Sequence, residues 1–384
     1  MSPPPGRSPH RAWIEVDHGA LIDNLAVLRR LAGEQRGIIA VVKANAYGHG
    51  AIEVSRTLLR EGVERLAVAT LGEALELRGA GIEVPILVLW ALGAPEAGPA
   101  LEADLEPIVY DGAGIDLLER AAAGLGRRAS VQLKIDSGLG RQGSEPGLAV
   151  ELALRIARSR HLRLSGTFSH LAVPGEDEAY TDVQLLRLAQ ALDAMRSAGV
   201  DPGLVHVAAT GGLLAGAGAF GDAVRPGLGL YGMVPGWAAD RDDGLRPALS
   251  LKALPLRIFE LAAGEAIGYG LRFRAERATR IATLGIGYGD GWPRAHANNG
   301  WALVRGVRCR VVGAVSMDGI TVDLGDLDDV TYADEFVLIG EQMGARIDAD
   351  EVAAQRRTIN YEVTTALRDR LPRVHLPEAA TSAG

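Results

Sequence analysis

The chain has 384 residues, with 40 Lys and Arg against 48 Asp and Glu, a formal charge of −8 and 48% hydrophobic residues. That length predicts two domains, or one large barrel with a smaller companion, and the apolar fraction excludes global disorder. The acidic balance excludes a bulk electrostatic grip on nucleic acid or an anionic membrane, and the single cysteine, Cys309, excludes an internal disulfide and a cysteine-built metal centre.

The lone cysteine makes a reducing cytosol the expected compartment, and, in chain order, residues 1–10 (MSPPPGRSPH) carry no apolar run of the kind expected of a secretory leader. This segment and the small, polar tail 377–384 are both expected to fray. Between them short apolar, β-branched runs recur: IIAVVK (38–43), RLAVAT (65–70), PILVLW (85–90), EPIVYD (106–111), SVQLKID (130–136), LSGTFSH (164–170), LVHVAAT (204–210) and AVRPGLGLY (223–231). The stretches at 18–34, 51–62 and 181–200 read as amphipathic helices. The last has Thr181 or Asp182 as its N-cap and Gly199 just past its end. Residues 202–221 lack any Asp, Glu, Lys or Arg, yet their six glycines, one proline and His206 read as a buried strand and a glycine-rich turn, not a membrane span.

Near-continuous apolar strands separated by crossover helices specify a parallel sheet covered on both faces. Eight of them in about 200 residues match an α/β fold of the (β/α)8 TIM-like barrel type better than a doubly wound sheet with fewer strands. From 245 the rhythm changes. Segments such as SLKALPLRIFEL (250–261), TRIATLGIG (279–287), WALVRGVRCRVVGAV (301–315) and DEFVLIG (334–340) are alternating or β-rich with almost no helix between them. The division is therefore a barrel domain, 11–244, and a mostly β domain, 245–376.

Active sites of such barrels lie at the C-terminal ends of the strands, which here offer Lys43, Asp136, His170, Thr210 and Arg225. A lysine closing a buried run either reaches solvent or is buried with altered protonation. Lys43 is thus a snorkelling strand-end residue or an amine nucleophile that forms a Schiff base.

Lys43 opens KANAYGHG (43–50), which closely resembles the pyridoxal-phosphate lysine motif of bacterial alanine racemases. The resemblance continues through KIDSGLGRQG (134–143), FSHLA (168–172), VRPGLGLYG (224–232), GYGLRF (268–273), GYGDGWPR (287–294), VSMDGITVD (315–323) and TINYEV (358–363). These motifs stand in order and at appropriate spacing across residues 12–376.

The resemblance implies an N-terminal barrel and a C-terminal β domain in a head-to-tail homodimer, with residues 11–17 forming a strand against the C-terminal domain. It implies pyridoxal 5'-phosphate as cofactor and interconversion of L- and D-alanine, supplying peptidoglycan. Lys43 then holds the cofactor and acts as base on one face, with Tyr269 of the partner subunit as base on the other. His170, in the cofactor pocket, supports that tyrosine, and Arg225 faces the pyridine nitrogen. Tyr47, Thr210, Gly227 and Tyr361 fall where the phosphate contacts lie, with Leu228 beside Gly227 in the cofactor site. Arg141 and the main chain of Met317 match the binders of the substrate carboxylate. Lys134 matches a lysine that is carbamylated in many relatives, and Tyr288, Arg294, Ile359 and Tyr361 match a gate favouring small substrates.

The chain departs from the family pattern at three places: Ala209 where an amide is common beside Thr210, Phe273 where a hydroxylated aromatic is common, and Val173-Pro174 after His170-Leu171-Ala172. The alternatives are a racemase of serine or of a broader range of amino acids and a non-catalytic cofactor-binding barrel, which should lack the second domain. A decarboxylase using the same cofactor would need an acidic partner for the ring nitrogen, against which Arg225 speaks.

Overall fold

The structure is a computed structural model that describes residues 10–377 apart from 34 and 242. The tails expected to fray lie outside these residues, except for 10 and 377 themselves. Two compact units are present. Among the described residues, one comprises those of Leu21–Ala46 and Ala51–Arg246, and the other those up to Ala20, Tyr47–Gly50 and those from Pro247 onward.

Strand β1, Ala12–Asp17, belongs to the second of these units. The other unit holds the barrel strands: β2 (Gly37–Val41), β3 (Arg65–Val68), β4 (Ile86–Val88), β5 (Glu106–Val109), β6 (Ala129–Lys134), β7 (Leu162–Phe168), β8 (Leu204–His206) and β9 (Ala223–Val224). Each pairs in parallel with the next from β2 to β8, and β9 pairs with β2. The ring closes where Asp222 N–H donates to Val205 O at 2.7 Å and Arg225 N–H donates to Ala208 O at 2.8 Å. The eight apolar runs are therefore the eight strands of a closed barrel.

Helices cover the outside, and Val131, Leu133, Ile156, Leu188 and Met195 are fully buried between the layers. Burying such a side chain stabilises by about 1.5–3 kcal/mol. Three local readings are corrected. The helix expected from 181 spans Glu178–Ser197, capped by Asp177, whose carboxylate accepts from Tyr180 N–H at 2.9 Å. Thr181 instead turns its hydroxyl to Asp177 O at 2.8 Å. The glycine-rich turn after β8 contains a short helix, Thr210–Leu214. The run at 223–231 yields only a two-residue strand, because Pro226 cannot donate to a ladder and the chain then winds into a 3-10 turn over Leu228–Tyr231.

The other unit is built on a ten-stranded sheet. With β1 it contains β10 (Leu249–Ala253), β11 (Pro255–Leu261), β12 (Ala266–Ile267), β13 (Phe273–Arg274), β14 (Thr279–Leu284), β15 (Trp301–Val304), β16 (Val307–Val312), β17 (Ile320–Gly325), β18 (Phe336–Gln342), β19 (Ala345–Ile347) and β20 (Arg373–Leu376), of which β12 and β13 form a separate pair. β1 runs antiparallel to β10 and parallel to β20. Two short helices, Ala349–Arg356 and Asn360–Thr365, interrupt the β pattern. Asp348 caps the first by accepting from Glu351 N–H at 2.8 Å. No helix among the described residues is long and apolar enough to cross a membrane.

Candidate active site

The barrel residues singled out above gather at C-terminal strand ends. Lys43 lies two residues beyond β2, Lys134 ends β6, His170 lies two residues beyond β7, and Arg225 follows β9 directly. Beyond Lys43 the chain enters a left-handed turn, with φ of 52° at Ala44, 54° at Asn45, and 53° at Ala46 and Tyr47. L-residues avoid this region at a cost of about 1–2 kcal/mol each, so consecutive ones persist only where the surroundings hold them. Glu73 does so, accepting from Ala44 N–H at 2.7 Å while also accepting from Ala69 and Thr70 at 2.7 and 3.0 Å. Asn45 Oδ1 accepts from Ala51 N–H at 2.7 Å. Gly48 ends the turn at φ 87°, where a Cβ would stand 2.2 Å from Thr364 O.

The half-buried Lys43 amine makes no hydrogen bond to a described residue. Burial lowers its pKa, Arg141 and Arg225 lower it further, and Glu73 opposes them. Lys134, 4% exposed, is pushed down to about 8, first by burial and then by Arg141 and Arg225. Burial, then Arg225, Arg141, Lys134 and Lys43, drive His170 down to about 3, so it is neutral at pH 7. Arg141 is exposed over Trp90, on a loop held by Asp136, whose carboxylate accepts from Gly138, Leu139 and Gly140 N–H at 2.7–2.9 Å. Those bonds outweigh burial and hold the Asp136 carboxyl below its ordinary range.

Arg225 is 3% exposed, and burial presses its guanidinium down to about 9, which leaves it cationic at neutral pH. Nη1 donates to His206 Nδ1 at 2.5 Å. Nη2 donates to Ser169 O at 2.7 Å and Val207 O at 3.2 Å and stands 3.3 Å from His170 Nδ1. Nε–H has no acceptor among the described residues. The buried Thr210 hydroxyl accepts from Gly227 and Gly229 N–H at 3.3 and 3.0 Å, leaving its own proton to donate. Leu228, next to Gly227, is buried.

In the other unit Tyr269 is 77% exposed, between Gly268 and Gly270 at φ 75° and 73°. Met317 is also exposed, and Gly287 permits a close approach of its main chain: a Cβ there would lie 2.5 Å from Met317 O. Tyr288 and Arg294 line a cavity of about 510 Å³ with Arg356, Thr358, Glu362 and Arg368. Ile359 and Tyr361 are not in that lining, although they lie between Thr358 and Glu362 in sequence. Tyr361 has its ring 6.2 Å from that of Tyr47. Burial raises both phenols above their ordinary range, so each keeps its proton at neutral pH. Sequence reasoning did not single out Glu73, Gln132, Ser169 or the pairing of His206 with Arg225. The one signal in the sequence was a polar residue inside each of two apolar strand runs.

Residues 16–235 match the family model of the alanine racemase N-terminal domain, and residues 248–375 that of the alanine racemase C-terminal domain. The alanine racemase of Desulforamulus reducens is 39% identical over 372 residues, covering 95% of this chain and 98% of its own. The crystal structure of alanine racemase from D-cycloserine-producing Streptomyces lavendulae is similar at a TM-score of 0.88 and 35% identity, covering 97% of this chain and 98% of that one. That of alanine racemase from Bartonella henselae with covalently bound pyridoxal phosphate is similar at a TM-score of 0.84 and 28% identity, covering 96% of this chain and 100% of that one. With both family models and full-length relatives in agreement, the chain belongs to the alanine racemase family of isomerases.

Proposed function

We propose that this chain interconverts L- and D-alanine with pyridoxal 5'-phosphate, in a cytoplasmic homodimer whose sites each take Lys43 from one subunit and Tyr269 from the other. The observation that carries the reading is Arg225, a buried cation whose Nε–H has no acceptor among the described residues. A guanidinium only donates, so the donor suits an unprotonated ring nitrogen and repels a protonated one. The other residues fit the cofactor as well. Lys43 supplies an amine of lowered pKa. Protonated hydroxyls of Tyr47, Thr210 and Tyr361, with the chain at Gly227 and Leu228, suit a phosphate.

When bound, the cofactor supplies the electron sink that lets a Cα proton leave at neutral pH. Lys43 Nζ takes or returns that proton on one face, and the Tyr269 hydroxyl does so on the other. A phenol is a weak base at neutral pH and needs a donor to steady its anion. Neutral His170 has Nδ1 turned to Arg225, so its proton lies on Nε2, where it can serve. Arg141 and the Met317 main chain hold the alanine carboxylate. Carbamylation of Lys134 would replace a cation beside Arg141 with an anion that steadies it. Tyr288, Arg294, Ile359 and Tyr361 restrict entrance to small substrates, and the product serves peptidoglycan synthesis.

The test is an enantiomer assay on L- and D-Ala, Ser, Lys and Arg with cofactor added. Alanine should racemise fastest, in both directions. Preference for serine or a larger residue would move the substrate, and no racemisation of any would leave a cofactor-binding barrel.

A further inference from the structure

Inside the barrel unit five side chains line up from its C-terminal mouth toward the starts of β5 and β3. Arg225 Nη1 stands 2.5 Å from His206 Nδ1, and His206 Nε2 stands 2.7 Å from Gln132 Oε1. Gln132 Nε2 donates to Glu106 Oε2 at 2.6 Å, and Arg65 donates to both Glu106 oxygens at 3.0 and 3.1 Å. His206, Gln132, Arg225 and Glu106 are all buried. The ends of the line fix its protons. A guanidinium only donates, so His206 Nδ1 must accept and its proton must sit on Nε2. A carboxylate only accepts, so Gln132 must turn its NH2 to Glu106 and its oxygen to His206. One proton order satisfies every contact, and the other histidine tautomer sets N–H against N–H at Arg225.

The backbone makes room for this line. The β6–β7 ladder shifts register between Val131 and Gln132, and Gly166 stands opposite Gln132. A Cβ at Gly166 would lie 3.2 Å from Gln132 Cδ and 2.7 Å from Leu204 O, so a side chain there would push against the amide. Phe168 stacks on His206 at 4.8 Å, and Arg225 lies 4.8 Å over the same ring. Burial, and after it the charges of Arg225 and Arg65, keep His206 neutral.

We propose that Gln132 and Glu106 are positioning residues: they hold the His206 proton on Nε2, and the freed Nδ1 lone pair fixes how Arg225 presents its Nε–H. This rests on the reading of Arg225 as the partner of the cofactor's ring nitrogen. Neither residue is assigned a contact with substrate or cofactor. The effect of Gln132 passes through two contacts and that of Glu106 through three, and a small rotation of the guanidinium misdirects its Nε–H.

Two measurements on the full-length holoenzyme test this. Neutron diffraction of the wild type should find the His206 proton on Nε2 and none on Nδ1. A proton on Nδ1 overturns the proposal, and this readout needs no variant. In kinetics, Gln132→Leu removes the acceptor and Glu106→Gln lets the amide turn over. Each should lower kcat about tenfold with KM within about twofold, as loss of transition-state positioning does. Unchanged kcat in both, or a change confined to KM or to melting temperature, overturns it. A wild type with the expected proton order but no racemase activity would refute the proposed function while leaving the order of the line intact.

Discussion

The three lysines of the chain, Lys43, Lys134 and Lys252, separate by environment. Lys252 pairs with Glu15 at 2.7 Å and Glu335 at 3.3 Å, and these outweigh burial and raise its pKa, so its amine is protonated and no nucleophile. Lys43 has no such partner among the described residues. We expect the purified protein to be yellow and borohydride to fix the cofactor on Lys43, with Lys43→Ala colourless. An adduct mapped to Lys134 or Lys252 would move the site. For Lys134, held at about 8, the sign of the pH effect is definite. An unmodified amine takes its proton more tightly in the unfolded chain, at ~10.4, so stability rises with pH between those values. A carbamate at that position abolishes the rise. We expect 13C-bicarbonate to label Lys134 and the rise to be absent. An unlabelled lysine with stability climbing from pH 8 to ~10 would sink the carbamate.

The strands were legible as elements because a strand buried on both faces reads as an unbroken apolar run, and parallel barrel strands are of that kind. The left-handed turn after Lys43 was not. ANAY contains nothing that demands positive φ, and the group that holds it, Glu73, lies 29 residues from Ala44 in sequence. Asp177 escaped notice as a cap because it sits in a polar stretch where several residues could serve. At the site, Lys43 and Arg225 were visible from strand ends alone, and the tyrosines only through the motifs. The line from Arg225 to Arg65 draws on four strands and the residue after a fifth, and no local pattern joins them. Glu73→Ala tests the turn. It removes the acceptor of three N–H groups, one of them the capping-box donor Thr70, so we expect a stability loss of about 1–2 kcal/mol by chemical denaturation. Cofactor affinity should fall with it, because Lys43 leads directly into the loosened turn. Full affinity in a destabilised variant would separate the turn from the site.

At the scale of the assembly, the proposed sharing of Lys43 and Tyr269 between subunits has a consequence that no single variant can mimic. A homodimer of Lys43→Ala lacks one base at both sites, and a homodimer of Tyr269→Ala lacks the other. Mix the two and let subunits exchange. Each heterodimer then has one site with neither base and one with both, because the intact Lys43 of one chain faces the intact Tyr269 of the other. Random exchange makes about half of the dimers mixed, each with one working site of two, so activity should return to about a quarter of wild type by the symmetry of a two-fold dimer. If both bases came from the same chain, every site in every dimer would lack one of them and mixing would restore nothing. The high exposure of Tyr269 in the single chain, 77%, agrees with a side chain that finds its place only against a second copy. Recovery near zero after exchange has been verified by mass would reject the shared site while leaving membership of the family untouched.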